Sequence, residues 1–156
     1  MKKHFFYILE IAFTIVVLAA CSHNRQIEHD LVTKTIFISD EFQNLSLMID
    51  YSEGCKIVQV NIRGENTVSP SGVFTAIRTA DEQFTSDRLP GQVKVSAVKG
   101  GIEIGNIAFG NGLIHETWTF KPGKKSINWT IRRTYAQDVQ LEDMAMPVWN
   151  FSSASV

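Results

Sequence analysis

Residues 92–135, "QVKVSAVKGGIEIGNIAFGNGLIHETWTFKPGKKSINWTIRRTY", decide the fold. Three turn signals divide this stretch. Gly100-Gly101 is a two-residue hairpin signal and pairs Lys99 with Ile102. Asn111-Gly112 is the stronger form of the same signal and pairs Gly110 with Leu113. The segment 122–125, "PGKK", is a four-residue loop that pairs Lys121 with Ser126. The three turns predict a four-stranded antiparallel meander. The second hairpin sets Phe109 opposite Ile114 and Gly105 opposite Trp118. The third sets Phe120 opposite Ile127 and Trp118 opposite Trp129. Ile107, Phe109, Ile114, Trp118, Phe120, Ile127, Trp129 and Ile131 then share one face. A slip of one residue at any turn would scatter them over both faces. A Trp facing a Gly across two strands is a good fit, because the ring covers the missing side chain.

Glu116 and Arg133 fall on the same apolar face. In this register Glu116 faces Ile131, so Arg133 is its diagonal neighbour and within reach of an ion pair. The alternatives are a solvated sheet rim and the lining of a binding cleft. The opposite face of the first two strands carries Val93, Val95, Ala97, Ile102, Ile104 and Ala108. Those strands are therefore expected to be covered on both sides, and the fold class is an all-β antiparallel sandwich.

Upstream, the same period of two continues from Leu31. Leu45, Leu47, Ile49 and Tyr51 alternate with polar or smaller neighbours, as do Val58, Val60 and Ile62. The segments 64–72, "GENTVSPSG", and 85–91, "TSDRLPG", read as loops. After Tyr135 the pattern becomes mixed, and Pro147 discourages a helix through it. Residues 139–156 are expected to be an exit segment leading away from the sandwich, with Trp149 and Phe151 packing on something further along. The ending at Val156 is read as a point where a longer protein continues.

The N-terminal residues follow different rules. Lys2 and Lys3 precede an apolar run that ends Leu18-Ala19-Ala20-Cys21. That spacing resembles the bacterial lipobox, with residues 1–20 as the signal peptide and Cys21 as the lipidated residue. Residues 21–30 are then a polar tether, and 31–138 the sandwich domain. With Cys21 committed to lipid, Cys55 has no partner for an intramolecular disulfide and reads as a small buried hydrophobe. The implied location is the cell envelope, with the outer membrane as the expected surface, held by the lipid alone.

A formal net charge of −1 gives no basic surface for nucleic acid. The sequence lacks CxxC, HExxH, GxSxG and phosphate-loop motifs, and two of its four His residues, His23 and His29, lie in the tether. No cofactor, metal or catalytic residue is expected. Asp138, Glu142 and Asp143 form the late acidic cluster and read as a solvated loop. Trp118 and Trp129 read as core, while Trp149 is open to either role.

Residues 127–151, "INWTIRRTYAQDVQLEDMAMPVWNF", resemble the last strands and exit of the N-terminal β-sandwich in large exported glycoside hydrolases. In that family a supersandwich similar to the galactose mutarotase fold precedes an (α/α)6 catalytic barrel. The lipobox and the strand meander are similar to such proteins in gut-type Bacteroidetes. The resemblance implies a non-catalytic support for a barrel that this chain does not contain, in a parent protein that degrades polysaccharide. It also implies that the catalytic carboxylates lie in the barrel, so none is assigned here and the chain alone is expected to show no hydrolase activity. Trp149, Phe151, Glu116 and Arg133 are the candidate contacts to carbohydrate or to the C-terminal catalytic domain. The competing expectation is a stand-alone lipoprotein that binds glycan or a surface protein.

Overall fold

The computed structural model describes residues 26–89 and 92–153. The expected signal peptide and Cys21 lie outside the described residues. The described chain forms twelve strands and no α-helix: β1 (Ile27–Asp30), β2 (Thr35–Ser39), β3 (Leu45–Asp50), β4 (Lys56–Ile62), β5 (Glu65–Asn66), β6 (Val68–Arg78), β7 (Gln83–Thr85), β8 (Lys94–Val98), β9 (Gly101–Phe109), β10 (Ile114–Pro122), β11 (Ile127–Tyr135) and β12 (Asp143–Phe151). They build two antiparallel sheets. The larger follows the order β1-β2-β3-β4-β6-β12, with β5 on β4 and β7 on β6; the smaller is the meander β11-β10-β9-β8. This is the all-β sandwich expected from the alternating pattern.

The core lies between the sheets. Ile36, Ile38, Leu47, Ile49, Ile57, Val60, Val73 and Ile77 come from the larger sheet; Ile102, Ile104, Ile107, Phe109, Ile114, Trp118 and Phe120 come from the meander. Each fully buried side chain of this size contributes about 1.5–3 kcal/mol. Trp118 is fully buried and meets Trp129 edge-on at 4.9 Å between ring centroids, while Trp129 stacks on Phe120 at 5.5 Å. Both tryptophans are therefore core residues, as is Cys55.

The meander keeps its faces but not all of its registers. The middle hairpin pairs Phe109 with Ile114, as the Asn111-Gly112 turn requires. The first hairpin pairs Val98 with Gly101 instead of Lys99 with Ile102, so Lys99-Gly100 is the turn. Gly100 alone takes the left-handed conformation (φ 71°). Gly101 belongs to the strand, where a Cβ would lie 2.1 Å from the Phe120 carbonyl oxygen. The third hairpin pairs Pro122 with Ile127, and Gly123 N–H donates to the Ser126 carbonyl at 2.7 Å to close it. Each difference moves the pairing by an even number of residues, so Val95 and Ala97 still share a face with Ile102 and Ile104, and the inward face of β11 survives.

A β-bulge corrects the expectation that the first two meander strands are covered on both sides. β9 and β10 change register between Glu116 and Trp118, so Trp118 faces Ile104 and not Gly105. Asn106 takes a positive φ of 59° there, and its side-chain amide donates to the Gln92 carbonyl at 2.8 Å. The extra residue rotates Ile102 and Ile104 onto the face of Ile107 and Phe109. All four are buried, whereas Ala97 is exposed and Val95 half-buried.

Three boundary expectations also change. The tether contributes Ile27–Asp30 as β1, paired with β2. The expected loop at 64–72 supplies β5 and the start of β6. Pro70 is accommodated there because β12 skips that part of β6, pairing Trp149 with Val73 and Phe151 with Val68. The expected exit segment is itself a strand, β12, paired with β6 along residues 143–151. Propensity reasoning missed it because Pro147 interrupts the ladder at a register shift between Ala145 and Val148, where no N–H is required.

Candidate functional site

Two groups of residues stand out, one buried and one exposed. The buried group centres on Glu116, which β10 points into the core. Arg133, on the neighbouring edge strand β11, lies directly opposite it rather than diagonally. Arg133 Nε–H donates to Glu116 Oε1 at 2.6 Å. Trp118 Nε1–H and the Thr75 hydroxyl donate to Oε2 at 2.7 and 2.8 Å. The side chains of Glu116 and Arg133 are 0% and 3% exposed. The pair is thus an internal ion pair, and the solvated-rim alternative does not apply.

Thr75 belongs to β6 of the larger sheet, so its hydroxyl ties the two sheets together through the carboxylate. Charge-assisted bonds of this kind are short and about twice as strong as neutral ones. Three donors leave little lone-pair capacity for a general acid or base. Arg133 is less well served: its two Nη groups are buried without an acceptor among the described residues. Its guanidinium carbon sits 5.9 Å from the Phe109 ring centroid, a cation–π contact that offsets part of that loss. The Glu116 charge also acts on Cys55. Burial first, then Glu116 and Asp50, push the Cys55 thiol well above its usual range, so it is held neutral.

The exposed group lies on β12. Trp149 pairs with the fully buried Val73 and therefore projects from the inner face of its sheet, yet it is 43% exposed; Phe151 is 60% exposed. The two rings lie nearly parallel, 9° apart, with centroids 5.8 Å from each other. Met144 and Met146 on the same strand, and Tyr135 at the end of β11, are also large exposed apolar side chains. Tyr135 O–H reaches the Met144 sulfur at 3.8 Å, which joins the free edges of the two sheets. The strip exists because β12 is the last strand of its sheet, with no further strand among the described residues to cover its inward side chains. Contiguous exposed apolar surface of this kind marks interaction sites more often than isolated residues do.

Of the four candidate contacts, the structure buries Glu116 and Arg133 and displays Trp149 and Phe151. Met144, Met146 and Tyr135 join the exposed pair without having been singled out from sequence; a strand pattern across 143–151 was the signal that would have found them. Asp138, Glu142 and Asp143 are exposed, and Glu142 lies 3.5 Å from Arg78. No group of three or more His, Cys, Asp or Glu side chains among the described residues is placed to hold a metal ion. No protein-family model matches the chain, and searches of curated proteins and of solved structures gave no match either.

Proposed function

We propose that the chain is a non-catalytic β-sandwich module of an exported, lipid-anchored glycoside hydrolase, and that it supports a catalytic domain through the free edge of β12. The observation that carries this reading is the strip Met144, Met146, Trp149 and Phe151 on an edge strand. Its aromatic and Met content matches the core of a protein–protein interface, where such residues are enriched. The resemblance of residues 127–151 to the exit of hydrolase sandwiches supplies the identity of the partner, and the lipobox ending at Cys21 supplies the anchor.

The DNA immediately downstream of codon 156 tests the reading. An open frame encoding helical repeats supports it. A stop codon followed by an unrelated gene overturns it and favours a stand-alone binder. That second reading has one observation of its own: the near-parallel exposed rings of Trp149 and Phe151 present flat apolar faces on which a sugar ring can stack. It requires measurable binding to a polysaccharide panel, lost in Trp149→Ala.

A further inference from the structure

The loop between β1 and β2, residues 31–34, ends the larger sheet at the edge opposite β12. Its tip carries Leu31 and Val32, which are 74% and 92% exposed, the highest values among the exposed large apolar side chains. This tip is a built turn. The Asp30 carboxylate accepts the Val32 and Thr33 backbone N–H groups at 2.7 and 3.1 Å, and the Thr33 and Thr35 hydroxyls meet at 2.7 Å. The backbone bonds, Thr33 first and then Val32, also hold the Asp30 carboxyl below the ordinary carboxylate range. Two adjacent aliphatic side chains are therefore held out at the end of a hairpin whose turn is closed by the Asp30 carboxylate.

We infer that the Leu31–Val32 tip dips into the lipid interface and fixes the orientation of the domain on its membrane. The inference rests on the lipid-anchored reading of Cys21. Reach is what selects a bilayer over another protein. Four residues lie between Cys21 and Gln26, and the five steps they make span at most about 17 Å. The four residues of β1 carry the chain about 13 Å from Gln26 to the tip. The tether's reach exceeds the length of β1, so the tip lies within reach of the surface that holds the lipid. Lys34, next to the tip, can lay its stem along the interface and keep its ammonium among the headgroups.

The geometry also leaves the other edge free. β1 and β12 are the two ends of a six-strand path, five steps of about 4.8 Å apart. Contact at the β1–β2 tip therefore leaves β12, about 24 Å away along the sheet, unoccupied. A second apolar contact of this type adds to an acyl anchor in the way that paired signals do.

The test uses the full-length protein purified from cells and placed in phosphatidylcholine vesicles. An environment-sensitive fluorophore is attached through Val32→Cys, and in a control through Asp138→Cys in the exposed connection between β11 and β12. Native Cys55 is fully buried and does not compete for the label. Intact mass reads acylation of Cys21 independently. The expected result is an acylated chain in which bromine-labelled acyl chains quench the label at position 32 and leave that at 138 unchanged. An acylated chain with no quenching at 32, or with equal quenching at both positions, overturns the tip and leaves the anchor standing. A chain without lipid on Cys21 overturns the anchored reading and the tip with it.

Discussion

Glu116→Gln tests whether the buried network holds the sheets together. The carboxylate faces donors only: Arg133 Nε–H, Trp118 Nε1–H and the Thr75 hydroxyl. Glutamine keeps one acceptor and adds a donor. With its oxygen toward Arg133, its amide N–H2 confronts Trp118 Nε1–H. With the oxygen toward Trp118, it confronts the guanidinium. Either orientation leaves a buried donor unpaired, and Arg133 loses its counter-charge. Removing one partner of a buried pair costs about 3–5 kcal/mol, a large share of the roughly 5–15 kcal/mol that stabilises a domain. Urea unfolding followed by tryptophan fluorescence should therefore show a midpoint about 1–5 M below the parent, for a slope of about 1–3 kcal/mol/M. Arg133→Met supplies the second arm. It removes the cation and its two unpartnered Nη groups while keeping apolar bulk against Phe109. The double variant should be less destabilised than the sum of the single variants, because the buried charges leave together. A midpoint shift in Glu116→Gln no larger than that of Glu142→Gln would refute the reasoning. Glu142 is more than half exposed in its pair with Arg78, where removal costs about 0–1 kcal/mol. Additive single effects would equally refute it.

Further outcomes follow from the same packing. Trp149→Ala and Phe151→Ala should shift the unfolding midpoint far less than Trp118→Ala, which empties a buried site at a cost of about 3–5 kcal/mol; equal shifts would mean that the strip on β12 is core. Cys55 should resist alkylation until the protein unfolds, because its thiol is buried and neutral. Its raised folded pKa contributes stability that is complete below the unfolded thiol value of about 8.5 and lost as pH climbs from there toward the folded value; Cys55→Ala should flatten that alkaline decline in a pH series of melting curves. Gly101→Ala should destabilise much more than an ordinary strand substitution, since its Cβ would meet the Phe120 carbonyl oxygen at 2.1 Å, and thermal unfolding reads the difference.

The alternation of apolar residues determined a great deal without any tertiary information. It gave the sandwich class, the inward side of β10 and β11, the core roles of Trp118, Trp129 and Cys55, and the pairing of Glu116 with Arg133. These survived errors in two hairpin registers because each error was an even number of residues, which returns every side chain to its own face. What local pattern could not carry was any event that depends on a distant strand. The bulge at Gly105-Asn106 turned Ile102 and Ile104 inward, where the core between the sheets takes them up. β12 exists because β6 offers a free edge to residues 143–151, despite Pro147. The sequence placed Trp149 outside the meander; only the order of strands in the larger sheet decided that it lies at an edge, paired with a buried Val73 and still open to a partner. Side-chain alternation is encoded between neighbours in the chain, whereas exposure at an edge depends on which strands lie alongside.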